Sequence, residues 1–214
     1  MTTIEIKEVT KMIHGNVVLD GISGIMQSGV IYGIQGINGS GKTMLMRILL
    51  GFIYPTNGVV KINGKQLGKE LEFADSLGCL LENPTFLERY SGYENLKMLA
   101  SIRNLIGEEE IYSILQKVGL DEEAGKKKYR KYSLGMKQRL GIAAAIMEKP
   151  DIVILDEPTN ALDSDGVDMV KKLILEEKKR GALVVISCHD MTILEYLSDE
   201  IWKLENGRLV ERLE

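Results

Sequence analysis

Val30-Ile31-Tyr32-Gly33-Ile34-Gln35 runs straight into Gly36-Ile37-Asn38-Gly39-Ser40-Gly41-Lys42-Thr43, and behind that octet Leu45, Ile48 and Leu49 recur at helical spacing. The reading is a buried strand, a glycine-rich loop and a helix, the context that G-x-x-x-x-G-K-[ST] requires. Glycines let the backbone curl so that successive N–H groups converge at a helix start, where the dipole also favours anions. Gly36, Asn38, Gly39, Ser40 and Gly41 are therefore expected to wrap phosphates. Lys42 is expected to neutralise the β- and γ-phosphates, and the Thr43 hydroxyl to ligate Mg²⁺.

Upstream of the loop, short β-branched runs at Ile4 to Val9 and Val17 to Leu19 are punctuated by Gly15, Gly21, Gly24 and Gly29, a pattern of turn-linked strands. Downstream, Pro55 and Gly58 lead into a strand at Val59 to Ile62. From about residue 87 to 149 the pattern turns helical, around Tyr93 to Arg103, Glu109 to Val118 and Gly135 to Glu148, with no convincing strand. After Pro150 strands return as IVIL and LVVIS, with a helix at about Ser164 to Arg180 between them and a hairpin through Glu205, Asn206 and Gly207 at the end.

Strands alternating with helices imply a mostly parallel sheet. The expected fold class is α/β: a P-loop NTPase core, an N-terminal antiparallel β subdomain and an inserted α-helical subdomain. Residues 1–214 read as one domain, with 1–86 and 150–214 forming the core and about 87–149 the helical part.

Ile152-Val153-Ile154-Leu155-Asp156-Glu157 is an apolar strand ending in two adjacent carboxylates. The carboxyl ends of parallel strands are where α/β sheets bind ligands. Asp156 is expected to hold Mg²⁺ and Glu157, pointing the other way along the pleat, to act as general base on the attacking water. His189 ends the next strand and is placed as a polar sensor of charge developing on the transferred phosphoryl group. His14 has no such context.

Composition bounds the function. The chain has 214 residues, 44% hydrophobic and 27% charged, with a formal net charge of −4. That charge argues against a nucleic-acid-binding surface, and the basic run Lys126 to Lys131 reads as a solvated connector. Cys79 and Cys188 read as reduced thiols buried in strands. The longest apolar runs fall short of the roughly 20 residues needed to cross a bilayer, and the first residues lack the regions of a secretory signal.

Tyr132-Ser133-Leu134-Gly135-Met136-Lys137-Gln138-Arg139 supplies the remaining piece. With the motifs above, it resembles the ABC transporter ATPases over essentially the whole chain, Ile4 to Leu213. Ser133 suits a helix N-cap, Gly135 permits close approach, and the helix start offers free N–H groups. The resemblance implies that Ser133 and Gly135 bind ATP held by a second subunit in a head-to-tail dimer, expected to be a homodimer. Asn160-Ala161-Leu162-Asp163 resembles the D-loop crossing that interface, and Asp163 is carried over from it. The implied cofactors are ATP and Mg²⁺, and the implied partner is a transmembrane permease on a separate chain. The expected place is the cytoplasm, at the inner face of the membrane.

The chain departs from the family pattern at several points. The signature has Tyr132, Leu134 and Met136 where Leu, Gly and Gln are common. The Q-loop segment Leu81-Glu82-Asn83-Pro84 carries Glu82 in place of Gln, which resembles the subgroup exporting peptide antibiotics, bacteriocins or drugs, or conferring immunity. Glu82 is expected to help hold Mg²⁺ or a water. The family's adenine-stacking aromatic is missing, with Ile13 and His14 nearest its place, so modest ATP affinity is expected. The rival reading is an ABC ATPase without transport, in iron–sulfur assembly or on ribosomes.

Overall fold

The computed structural model describes residues 1–82 and 84–213; Asn83 of the Q-loop segment and Glu214 lie outside the described residues. Two sheets stand against each other. The first is antiparallel, with β2 (Asn16–Gln27) beside β1 (Thr3–Ile13), then β4 (Asn57–Ile62) and the short β5 (Lys65–Gln66). The second has the order β10-β9-β3-β8-β7-β6, built from β3 (Ile31–Gln35), β6 (Leu77–Leu80), β7 (Ile152–Leu155), β8 (Leu183–Ser187), β9 (Glu200–Glu205) and β10 (Arg208–Leu213). All its neighbours are parallel except the β9–β10 hairpin.

The parallel strands read as unbroken apolar runs because both of their faces are covered. All four residues of β7 and all five of β8 are buried. Ile152, Ile154, Leu183 and Val185 join the core shared with the antiparallel sheet and α1 (Lys42–Leu49). Val153, Leu155, Val184 and Ile186 join the core on the helical side.

Between β6 and β7 the described chain forms helices: α2 (Gly92–Arg103), α3 (Glu108–Lys117), the short α4 (Glu122–Lys126), a 3-10 turn and α5 (Leu134–Ile146). α2 starts earlier than its apolar pattern suggests because Ser91 and Glu94 form a reciprocal capping box. Beyond β7, α6 (Ser164–Lys179) and α7 (Met191–Leu197) follow. Among the described residues no helix is long and apolar enough to cross a membrane.

Two sequence expectations need correction. β1 and β2 have 11 and 12 residues, far longer than the runs read from the pattern: two glycines that look like breaks lie within β2, and β1 runs on past Val9 because Lys11, Met12 and Ile13 still pair with β2. Gly21, at φ 63°, lies where the pairing with β1 shifts register, and a Cβ at Gly24 would strike the buried Trp202 ring. Both cysteines are free thiols, but Cys79 in β6 is half-buried and only Cys188, just beyond β8, is buried.

α5 lies directly on β6. A Cβ on Gly78 would collide with the carbonyl oxygen of Ala145 in α5 and come 2.7 Å from the Pro150 ring. That backbone cannot yield without lifting the helix off the sheet. Gly78→Ala is therefore expected to destabilise the fold by about 1–3 kcal/mol, as overpacking does; urea unfolding checks this, and an unchanged midpoint contradicts it.

Candidate functional site

The site forms at the carboxyl edge of β3, β8 and β7, which the strand order makes neighbours. The loop after β3 turns through Gly39 at φ 82° and Gly41 at φ 105°, conformations open to glycine. Gly41 N-caps α1 without a side-chain cap, so the first N–H groups of that helix are left for a ligand. A Cβ at Gly36 would strike Ser40, and one at Gly41 would meet Leu19 at 2.7 Å, so both ends of the loop are packed too tightly for a side chain, while Gly39 at its tip has open space around it. Lys42, 7% exposed, folds back to donate to the carbonyls of Gly36 at 2.7 Å and Ile37 at 3.3 Å. Its ammonium is thereby held inside the loop, where phosphates would sit.

Asp156, 4% exposed, follows β7 directly. The Thr43 hydroxyl donates to Oδ2 at 2.6 Å and the Ser187 hydroxyl to Oδ1 at 2.5 Å. One carboxylate thus joins α1, β7 and β8. Ser187 also accepts the Glu157 N–H at 2.9 Å.

The pleat expectation for Glu157 does not hold. At φ 51° its backbone leaves the strand through the left-handed region, so its carboxylate borders the same cavity as Asp156 instead of the opposite face. Oε2 accepts the His189 backbone N–H at 3.1 Å. The His189 imidazole Nε2 lies 3.3 Å from Oε1 but without hydrogen-bond alignment, which leaves Oε1 buried and unpartnered. Burial pushes the Glu157 carboxyl above its ordinary range, against the opposing pull of His189 and Lys42.

Lys42, Thr43, Asn38, Asp156, Glu157 and His189 all border one cavity of about 230 Å³, together with Glu82, Gln138 and Asn160. The Ser40 hydroxyl is also buried without a partner. Two orphaned oxygens, a hydroxyl–carboxylate pair and an enclosed ammonium fit a phosphate chain with its divalent cation. Glu82 is turned toward α1, where Arg47 pairs with it at 2.5 Å; both side chains are partly exposed.

Ser133, Gly135 and Asp163 do not border this cavity. Ser133 N-caps α5, accepting the Met136 N–H at 3.2 Å, and is exposed. Asp163 N-caps α6 through the Gly166 N–H at 3.0 Å and pairs with Arg139 at 3.3 Å. Sequence reasoning passed over Ser187 and Arg47, and named Gln138 and Asn160 only within the signature and D-loop stretches without placing them at this cavity. Ser187 carried a signal of its own, as a polar residue closing an apolar strand two positions before His189.

The family model described as ABC transporter matches residues 19–160, more than half of the chain. An uncharacterised ABC transporter ATP-binding protein of Bacillus subtilis, YybJ, is 47% identical over 96% of this chain and 94% of its own. The bacitracin transport ATP-binding protein BcrA of Enterococcus faecalis is 37% identical over 98% of this chain and 68% of its own. A solved dimer of an ATP-binding cassette in a post-hydrolysis state with ADP and Pi shares the fold, with a TM-score of 0.85 at 24% identity over 99% and 98% of the two chains. These matches, falling on a chain whose phosphate loop and acidic strand end meet in one cavity, show that it belongs to the ABC transporter family, as an ATP-binding, ATP-hydrolysing subunit.

Proposed function

We propose that two copies of this chain close head to tail on two ATP molecules and drive export of a peptide antibiotic, bacteriocin or drug through a permease on a separate polypeptide. The observation that carries the reading is an incomplete site. Lys42, Thr43, Asp156, Glu157 and His189 share one cavity, while the signature residues Ser133 and Gly135 stand elsewhere on the same chain. A second copy supplies what one copy cannot bring together. Cassettes of this family dimerise and work with membrane subunits; the export substrate is inferred from the bacitracin relative and from Glu82. The place of work is the inner face of the cell membrane.

In this reading the N–H groups of the Gly36–Gly41 loop and the Lys42 ammonium hold the phosphates. Glu157 takes the proton of the attacking water, its basicity raised by burial. His189, beside Glu157, meets the charge that develops on the γ-phosphate. Ser133 and Gly135 bring the N-terminus of α5 to the nucleotide of the second subunit, and Asp163 lies at the interface. Mg²⁺ would be held by Thr43 and Asp156 with help from Glu82, and supplies charge neutralisation at the phosphates. The segment from Glu82 to Tyr93, of which Asn83 lies outside the described residues, meets the permease; Leu87 and Tyr90 there are large, apolar and exposed.

Three outcomes test this. Lys42→Ala loses ATP binding, while Glu157→Gln keeps it and lowers kcat by about 10²- to 10⁴-fold, the usual weight of a positioned base; a wild-type rate for Glu157→Gln removes that residue from its role. Glu157→Gln protein purified with Mg-ATP from detergent-solubilised cells brings down a multi-span membrane protein, whereas recovery of ribosomal or iron–sulfur assembly proteins alone overturns transport. In a Mg²⁺ titration of the ATPase, Glu82→Gln needs several-fold more Mg²⁺ for half the maximal rate, and a superimposable titration contradicts its assigned share in holding the ion.

A further inference from the structure

The helix that carries the signature also grips the backbone of its own chain's acidic pair. Gln138, in the second turn of α5, is 5% exposed and donates its side-chain amide to two carbonyls at once, those of Glu157 and Pro158, each at 3.1 Å. These carbonyls belong to the residue at φ 51° and its successor, a backbone that a side chain disfavours and that persists only where surrounding contacts over-determine it. Two further contacts run along the same stretch. Gly135 faces the Ala161 carbonyl so closely that a Cβ would stand 3.0 Å from it. Arg139 reaches Asp163 at 3.3 Å while donating to the Val118 carbonyl, at the end of α3, at 2.8 Å. Residues 135–139 therefore clasp residues 157–163 along their length.

We propose that Gln138 is a positioning residue for Glu157: the helix whose first turn faces the second subunit's nucleotide also sets, within its own chain, the backbone that aims the general base. One rigid element then joins the two sites of the dimer, since a shift of α5 on engaging the nucleotide of the partner moves the Glu157–Pro158 carbonyls of its own chain. The inference rests on the reading of Glu157 as base. A purely structural Gln138 would satisfy the same two carbonyls without regard to which subunit's turnover suffers, and this separates the two.

Gln138→Met removes the donor while keeping the length and flexibility of the side chain. In the symmetrical protein it is expected to lower kcat about tenfold or more, with KM for ATP and monomer ATP affinity held within about twofold, the pattern of an interaction realised in the transition state. Gln138→Asn, whose shorter amide falls short of both carbonyls, lowers kcat in the same sense and serves if the first variant does not fold. A normal kcat in a folded variant, or a fall in ATP affinity that accounts for the whole loss, overturns the proposal.

Two full chains fused in tandem give the direction. With Glu157→Gln in one half, Gln138→Met in the other half strikes the remaining intact base in cis and slows turnover, whereas Gln138→Met placed in the Glu157→Gln half leaves turnover at that of the singly substituted fusion. Equal or reversed effects contradict action in cis. A Glu157→Gln protein that hydrolyses at the wild-type rate sinks the base assignment itself; a slow Glu157→Gln with a normal Gln138→Met sinks only this inference.

Discussion

The Asp156 carboxylate, buried at the floor of the cavity and held by one hydroxyl from α1 and one from the end of β8, is the constraint around which the site is organised. A buried charge is costly unless its oxygens are satisfied, and here both are. Satisfying them fixes where α1 can begin, because Thr43 must reach Oδ2, and therefore where the glycine loop must turn. It also pins the end of β8, which carries His189 to the edge of the cavity. The strand order β3-β8-β7 is what allows three segments far apart in sequence to meet at one carboxylate.

The antiparallel sheet and the helical layer serve this edge from opposite faces. The antiparallel sheet and α1 bury one side of the parallel strands, and Trp202, packed edge-on at 6.2 Å against Tyr32 of the neighbouring strand, lays its ring on Gly24 of β2 and so helps lock the two sheets together. On the other side α5 lies so close to β6 that only a glycine fits beneath it. That closeness brings Gln138 to the Glu157 carbonyl, while the helix start at Ser133 does not border the chain's own cavity. A subunit built this way gathers Lys42, Thr43, Asp156, Glu157 and His189 at one cavity and leaves the exposed helix start at Ser133 outside it.

What was legible in the sequence was what is contiguous in it. The octet Gly36 to Thr43 and the run Ile152 to Glu157 declare their chemistry locally, and the unbroken apolar character of β7 and β8 declares a sheet covered on both faces. Contacts between distant segments were not legible. Ser187 meets Asp156, Gln138 meets Glu157 and Arg47 meets Glu82 only because helices and strands pack as they do, and no spacing announces those pairs. The error over Glu157 has a physical source: alternation along a pleat holds only while the backbone stays extended, and this residue has already turned into the left-handed region. Gly21 and Gly24 misled in the opposite sense, reading as breaks in a strand that continues through both.

The claim that one chain holds half of each site is tested most directly by counting chains and nucleotides in the Glu157→Gln protein with Mg-ATP. Sedimentation with a parallel nucleotide assay should give a species of two chains carrying two ATP molecules, dispersing to monomers when ADP replaces ATP. A monomer that binds one ATP to saturation and never associates would contradict the account.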